Sequence, residues 1–118
     1  MTTFFDQYAG WGMMALQWTV AIIFFVHGWA KLKNPAGVAP VWGGSKALGA
    51  LHGLAETAGA VLFATGMLIR PIALLFSVIM LGAIYFKTVK WKLPFSANQA
   101  TGWEFDLVLL AASLAFLL

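Results

Sequence analysis

The chain has 118 residues, 62% of them hydrophobic and 9% charged, against about 25% charged in a soluble domain. This composition excludes a soluble enzyme and reads as a membrane protein, with length for about four spans of roughly 20 residues each. The absence of cysteine excludes disulfides, iron–sulfur clusters, thiolate metal sites and CxxCH haem attachment, and the net charge of +3 lies in loops that face a membrane by context, which argues against nucleic-acid binding.

The start, Met1 to Asp6, lacks a basic n-region and no small-residue cleavage site follows, so the first helix is expected to be retained. The first span is predicted at about 8–31 and stops at Asn34-Pro35. A Pro- and Gly-rich loop follows, carrying Trp42 as an interfacial anchor. The second span, about 46–69, holds Gly49 and Gly53 in a GxxxG, then Gly59 and Gly66; small residues let helices approach closely, so it is expected in the middle of the bundle.

Arg70-Pro71 reads as the next turn, with the proline near the start of the third span at about 71–86. That span is the most uniformly apolar and is expected to be the most exposed to lipid. Lys87 to Phe95 is basic and aromatic, suited to lying on headgroups. The last span, about 101–118, is short and starts at Thr101 or as early as Asn98. The fold class predicted is all-α: an integral membrane, up-and-down four-helix bundle forming a single membrane domain over 1–118. Both termini then share one side. Lys31, Lys33, Lys46, Lys87, Lys90 and Lys92 fall on the opposite side, against Arg70 alone on the side of the termini. The positive-inside rule makes the lysine-rich loops cytoplasmic and both termini periplasmic, if the membrane is a bacterial inner membrane.

Polar residues inside such spans carry the functional question. Glu56 lies about 15 Å into the second span at 1.5 Å per residue, too deep to snorkel. It reads either as a proton-accepting, ligand-orienting carboxylate or as a buried acid fixing helix packing. His52 sits four residues earlier on the same face, and His27 lies at comparable depth on the first span. The two histidines are candidates for hydrogen bonds to a quinone, for axial ligation of a haem b, or, with Glu56, for a divalent metal. Against haem, the small residues of the second span argue for close packing.

Lys31 is either a snorkelling cation or a partner for Glu56 or Glu104. Thr101-Gly102-Trp103-Glu104 fits a T-x-x-E capping box, and Asp106 fits the helix N-terminal dipole. At most one of these two acids is expected to face the centre. Gln17 needs an interhelical partner or water. Trp29 and Trp103 could roof a planar ligand, although aromatic belts are the commoner cause.

Gly28-Trp29-Ala30-Lys31-Leu32, Glu56-Thr57-Ala58-Gly59 and Gly66-Met67-Leu68-Ile69-Arg70-Pro71-Ile72-Ala73 together resemble the DoxX family of small four-helix membrane proteins. The family pattern falls on Gly28, Lys31, Glu56, Gly59, Gly66 and Arg70, with Glu104 a weaker match; His27 and His52 lie outside it. The resemblance implies a membrane subunit similar to the small subunits of thiosulfate:quinone oxidoreductase, also described as subunits of a terminal quinol oxidase. The function expected is a membrane oxidoreductase subunit that binds quinone and exchanges protons with it. Glu56, His52, His27 and Lys31 would serve the chemistry, with His27, His52, Trp29, Trp103 and Glu104 around the ligand. The alternative is a non-catalytic accessory subunit docked to other membrane subunits; a small transporter or channel is a third option.

Overall fold

In hydrocarbon every backbone N–H and C=O must be satisfied within the protein, so long apolar runs fold as helices. A computed structural model describes residues 9–37, 39–93, 95 and 102–118, and among these there are four α-helices and no strand: α1 (Ala9–Lys33), α2 (Lys46–Ala64), α3 (Ile69–Tyr85) and α4 (Trp103–Leu117). Two short 3-10 turns, Pro35–Gly37 and Ala39–Trp42, join α1 to α2. The chain is an all-α membrane bundle. α1, α2 and α3 with its extension to Lys90 are each long and apolar enough to cross a bilayer. α4 has 15 residues, about 22 Å of helix. The helix starts expected at Tyr8, and at Thr101 or Asn98, lie outside the described residues.

The helices run up and down as two hairpins. α1 packs closely on α2 and α3 on α4, while α2 and α3 meet more sparsely. Glycines set the first hairpin. A Cβ on Gly28 would stand 2.8 Å from Cβ of Glu56, and one on Gly53 would stand 2.8 Å from Cβ of Lys31 and 2.9 Å from the Gly28 carbonyl oxygen. Only glycine permits this approach. Away from the lysine-rich end, Phe24 and Phe76 stack with centroids 3.7 Å apart, and Phe63 packs on both Phe76 and Phe116. Val20, Ala60, Ala73 and Leu109 complete this core. Gln17 finds its interhelical partner here, donating to the Phe63 carbonyl at 2.8 Å.

Three expectations are corrected. First, the turn between α2 and α3 is Thr65 to Leu68, and Arg70-Pro71 lies in the first turn of α3. Gly66, at φ +84°, ends α2: its N–H donates to Phe63 and that of Met67 to Leu62, the paired bonds of a Schellman cap. Gly66 therefore serves a cap instead of helix packing. Second, α3 is not the helix most exposed to lipid. At mean hydropathy 2.1 it is the most apolar, yet Ala73, Phe76, Ser77 and Met80 are buried against the bundle, because hydropathy does not distinguish a lipid-facing from a helix-facing apolar side chain. α2 buries Gly49, Gly53, Glu56, Gly59, Ala60 and Phe63. Third, Phe86–Lys90 is a π-helical turn continuing α3, so Lys87 turns inward where a headgroup-facing residue was expected.

Candidate functional site

At the lysine-rich end the two hairpins separate around a cavity of about 930 Å³. Phe24, Met80 and Leu109 belong both to its lining and to the buried core. The polar side chains on its wall are His27, Lys31, Asn34, His52, Glu56, Lys87 and Asp106. They form two groups, one on each hairpin.

The first group is built by the Gly28–Gly53 contact. With the helix backbones touching, Lys31 Nζ reaches Glu56 Oε1 at 2.8 Å, although Glu56 is only 1% exposed. His52, one turn before Glu56 on α2, places Nε2 2.7 Å from the same oxygen. On its other edge, His52 Nδ1 accepts the Trp42 indole N–H at 3.2 Å. An indole nitrogen only donates. Nδ1 therefore keeps its lone pair, which assigns the imidazole proton to Nε2. Nε2–H faces the Glu56 carboxylate oxygen, 2.7 Å away and buried with it.

This tautomer bears on the haem and metal expectations. One ring nitrogen of His52 is protonated and the other accepts from Trp42, so neither offers a free lone pair to iron or zinc. In this arrangement His52 would ligate iron or another metal only after losing the Nε2 proton or the Trp42 bond. Among the described residues no three His, Asp or Glu side chains converge as a metal cluster.

The second group lies on the other hairpin. Lys87, on the π-helical turn, stands 2.7 Å from Asp106 Oδ2 on α4. Asp106 is 4% exposed, with Oδ2 buried against the Lys87 ammonium. His27 lies within electrostatic reach of Lys31, Glu56, Lys87 and Asp106, with its ring packed on Phe105 at 5.5 Å.

The structure thus brings Lys31, His52 and Glu56 into contact and sets His27 on the same cavity. It does not bring Trp29, Trp103 or Glu104 there. Trp29 is exposed and stacks on Phe25, while Trp103 packs edge-on against Phe95. Glu104 does not line the cavity. The expected capping box is also replaced: the N-cap of α4 is Gly102, with no side-chain cap bond, and Thr101 lies outside the described residues. Lys87, Asp106 and the Trp42–His52 bond are gains over the sequence reading. A sequence signal for Asp106 existed, since Gly102, Asp106, Leu109 and Ser113 form the buried stripe of α4 at helical spacing and Glu104 falls off it.

Among the described residues, three helices of spanning length and a fourth, shorter one, around a largely apolar cavity with charged side chains on its wall, define a small multi-pass membrane protein with room for a ligand among its helices. The chain belongs to the DoxX family, whose pattern matches residues 12–89; the match takes in the Lys31–Glu56 group and ends before Asp106. A protein of Bacillus subtilis (strain 168), named "Putative oxidoreductase CatD", is 34% identical to it over 106 residues, covering 87% of this chain and 75% of that protein. No solved structure matches the chain.

Proposed function

We propose that the cavity binds a quinone and that the protein is the membrane subunit of an oxidoreductase, exchanging protons with that quinone. The observation that carries this reading is the convergence of Lys31 and His52 on the buried Glu56 carboxylate, on a cavity whose remaining wall is largely apolar. The volume is in the range of small-molecule sites, roughly 300–1,000 Å³. Leu51 and Val78, which line the cavity from α2 and α3, are also exposed to the surroundings; a prenyl tail would leave between them into lipid.

A bound quinone would supply two-electron, two-proton chemistry, with electrons coming from a redox partner outside this chain. Trp42 holds His52 in the Nε2–H tautomer, so the imidazole presents its proton toward Glu56. Lys31 compensates the carboxylate charge at this depth. His27, beside Phe105, gives the ligand plane a second imidazole edge. With Lys31 and Lys87 assigned to the cavity, Lys33, Lys46, Lys90 and Lys92 still outnumber Arg70. We therefore orient the cavity mouth toward the cytoplasm of a bacterial inner membrane, with larger membrane subunits as docking partners.

The relative named as an oxidoreductase supports the same class of activity. Glu56→Gln should abolish quinone-linked turnover in membranes while the bundle still assembles. Wild-type turnover in that variant would overturn the proposal.

A further inference from the structure

Of the six titratable side chains on the cavity wall, His27, Lys31, His52, Glu56, Lys87 and Asp106, five are committed to one another. Lys31 and His52 meet Glu56 at 2.8 and 2.7 Å, and Lys87 meets Asp106 at 2.7 Å. His52 has neither ring nitrogen to spare, since Nδ1 accepts from Trp42. His27 is the exception: among the described residues its ring feels charges but makes no hydrogen bond.

Its position on α1 decides what that open ring faces. His27 follows Val20 by seven residues and Phe24 by three, and both are buried at 1% exposure, so helical spacing places it on the inward face of the helix. The side chain is nonetheless exposed. An exposed group on an inward face, lining the cavity, is exposed to the cavity. Phe105 of α4 supports the ring at 5.5 Å. The charges around it come from every neighbouring element: Lys31 on its own helix, Glu56 on α2, Lys87 on the π-helical turn and Asp106 on α4. Two cations and two anions, joined in pairs, sum to zero formal charge, so no unbalanced fixed charge locks the imidazole in one protonation state.

We infer that His27 is the residue that contacts the ring oxygen of the ligand and exchanges a proton with it, while Lys31, Glu56 and His52 form a closed array that holds α1 and α2 in place around it. The inference rests on the quinone reading and names the group that carries its proton. Imidazole is the side chain that titrates near neutral pH. Before a carbonyl oxygen the ring donates an N–H bond, the stronger one when it is imidazolium. Before a hydroxyl the neutral ring accepts: the O–H bond breaks, an N–H bond forms, the oxygen keeps the electron pair and the ring takes the positive charge.

Binding of a decyl-tailed 1,4-naphthoquinone to the purified full chain in detergent is measured from about pH 5 to 8 by quenching of tryptophan fluorescence, with Trp42 and Trp91 on the cavity wall as reporters. A carbonyl gains a charge-assisted bond as His27 is protonated, so the wild-type chain should bind about fivefold more tightly at the acid end. His27→Gln, whose amide donates without titrating, should bind at the weaker level at every pH. A flat profile in the wild type, or a pH dependence that survives in His27→Gln, would overturn the role of His27 alone. Nitrogen-15 NMR of labelled histidine is the second measurement and needs no His27 variant, because the chain has two histidines and the His52 signals are those that move in Trp42→Phe. The dione should shift the ring nitrogens of His27 and leave those of His52 in place; shifts confined to His52 would also overturn the assignment. Failure of the dione to quench the wild-type chain at any pH would overturn the quinone reading itself.

Discussion

Lys31 on α1 and Glu56 on α2 meet at 2.8 Å across a helix contact that Gly28 and Gly53 make possible. The ion pair and the glycines are one device: the glycines bring the backbones together, and that approach lets a lysine near the helix end reach a carboxylate a further turn inside. Glu56 is 1% exposed, so its carboxylate depends on Lys31 and His52 for its polar contacts.

Lys31→Met should consequently be among the most damaging single changes, lowering stability by about 3–5 kcal/mol because it strands a buried carboxylate. Lys31→Met/Glu56→Leu should recover most of that loss. Thermal unfolding in detergent followed by circular dichroism checks both, and a double variant as unstable as the single one would contradict the pairing.

Gly28→Ala and Gly53→Ala should each cost about 1–3 kcal/mol through overpacking of α1 against α2. Gly10→Ala, where an added Cβ meets nothing within 4 Å, is the control and should leave the melting temperature unchanged. Since the overpacked variants also displace Lys31 from Glu56, ligand binding should weaken with stability in them.

Trp42→Phe removes the indole donor to His52 Nδ1 while keeping an aromatic ring. Nitrogen-15 NMR of labelled histidine should show Nδ1 as the unprotonated nitrogen in the wild-type chain and a mixture of tautomers in the variant. The stability change should be small, about 1 kcal/mol, as for one partly exposed hydrogen bond.

Phe24→Ala would empty the floor of the cavity, where Phe24 stacks on Phe76, and should cost about 3–5 kcal/mol. Chemical unfolding of the detergent-solubilised bundle measures this. A loss below 1 kcal/mol would show that the aromatic stack is not the core of the fold.

The helices were legible in the sequence because apolar runs, prolines and glycines punctuate them strongly. Glu56, His52 and Lys31 were legible because a carboxylate ten residues inside a span demands a partner and helical spacing names the near ones. Gly66 misled because a cap glycine and a packing glycine look alike until φ is known. Asp106 was attributed to the helix dipole because it lies in the first turn of α4, and Lys87 to the headgroups because a basic run follows it. Only the π-helical turn and the folding of the second hairpin onto the first show that these two face inward. Trp29 and Trp103 went the other way, since aromatic content alone does not say which face of a helix a ring occupies.

Photolabelling tests the quinone assignment most directly. The purified chain is illuminated with a tailed azidoquinone, with and without excess unlabelled quinone, and labelled peptides are mapped by mass spectrometry. Competable labels should fall on the cavity wall, on the peptides containing His27, Leu51, His52 or Phe105. Labels confined to the outward face of α1 around Trp11 and Trp18, or labels that excess quinone does not displace, would contradict a quinone site in this cavity.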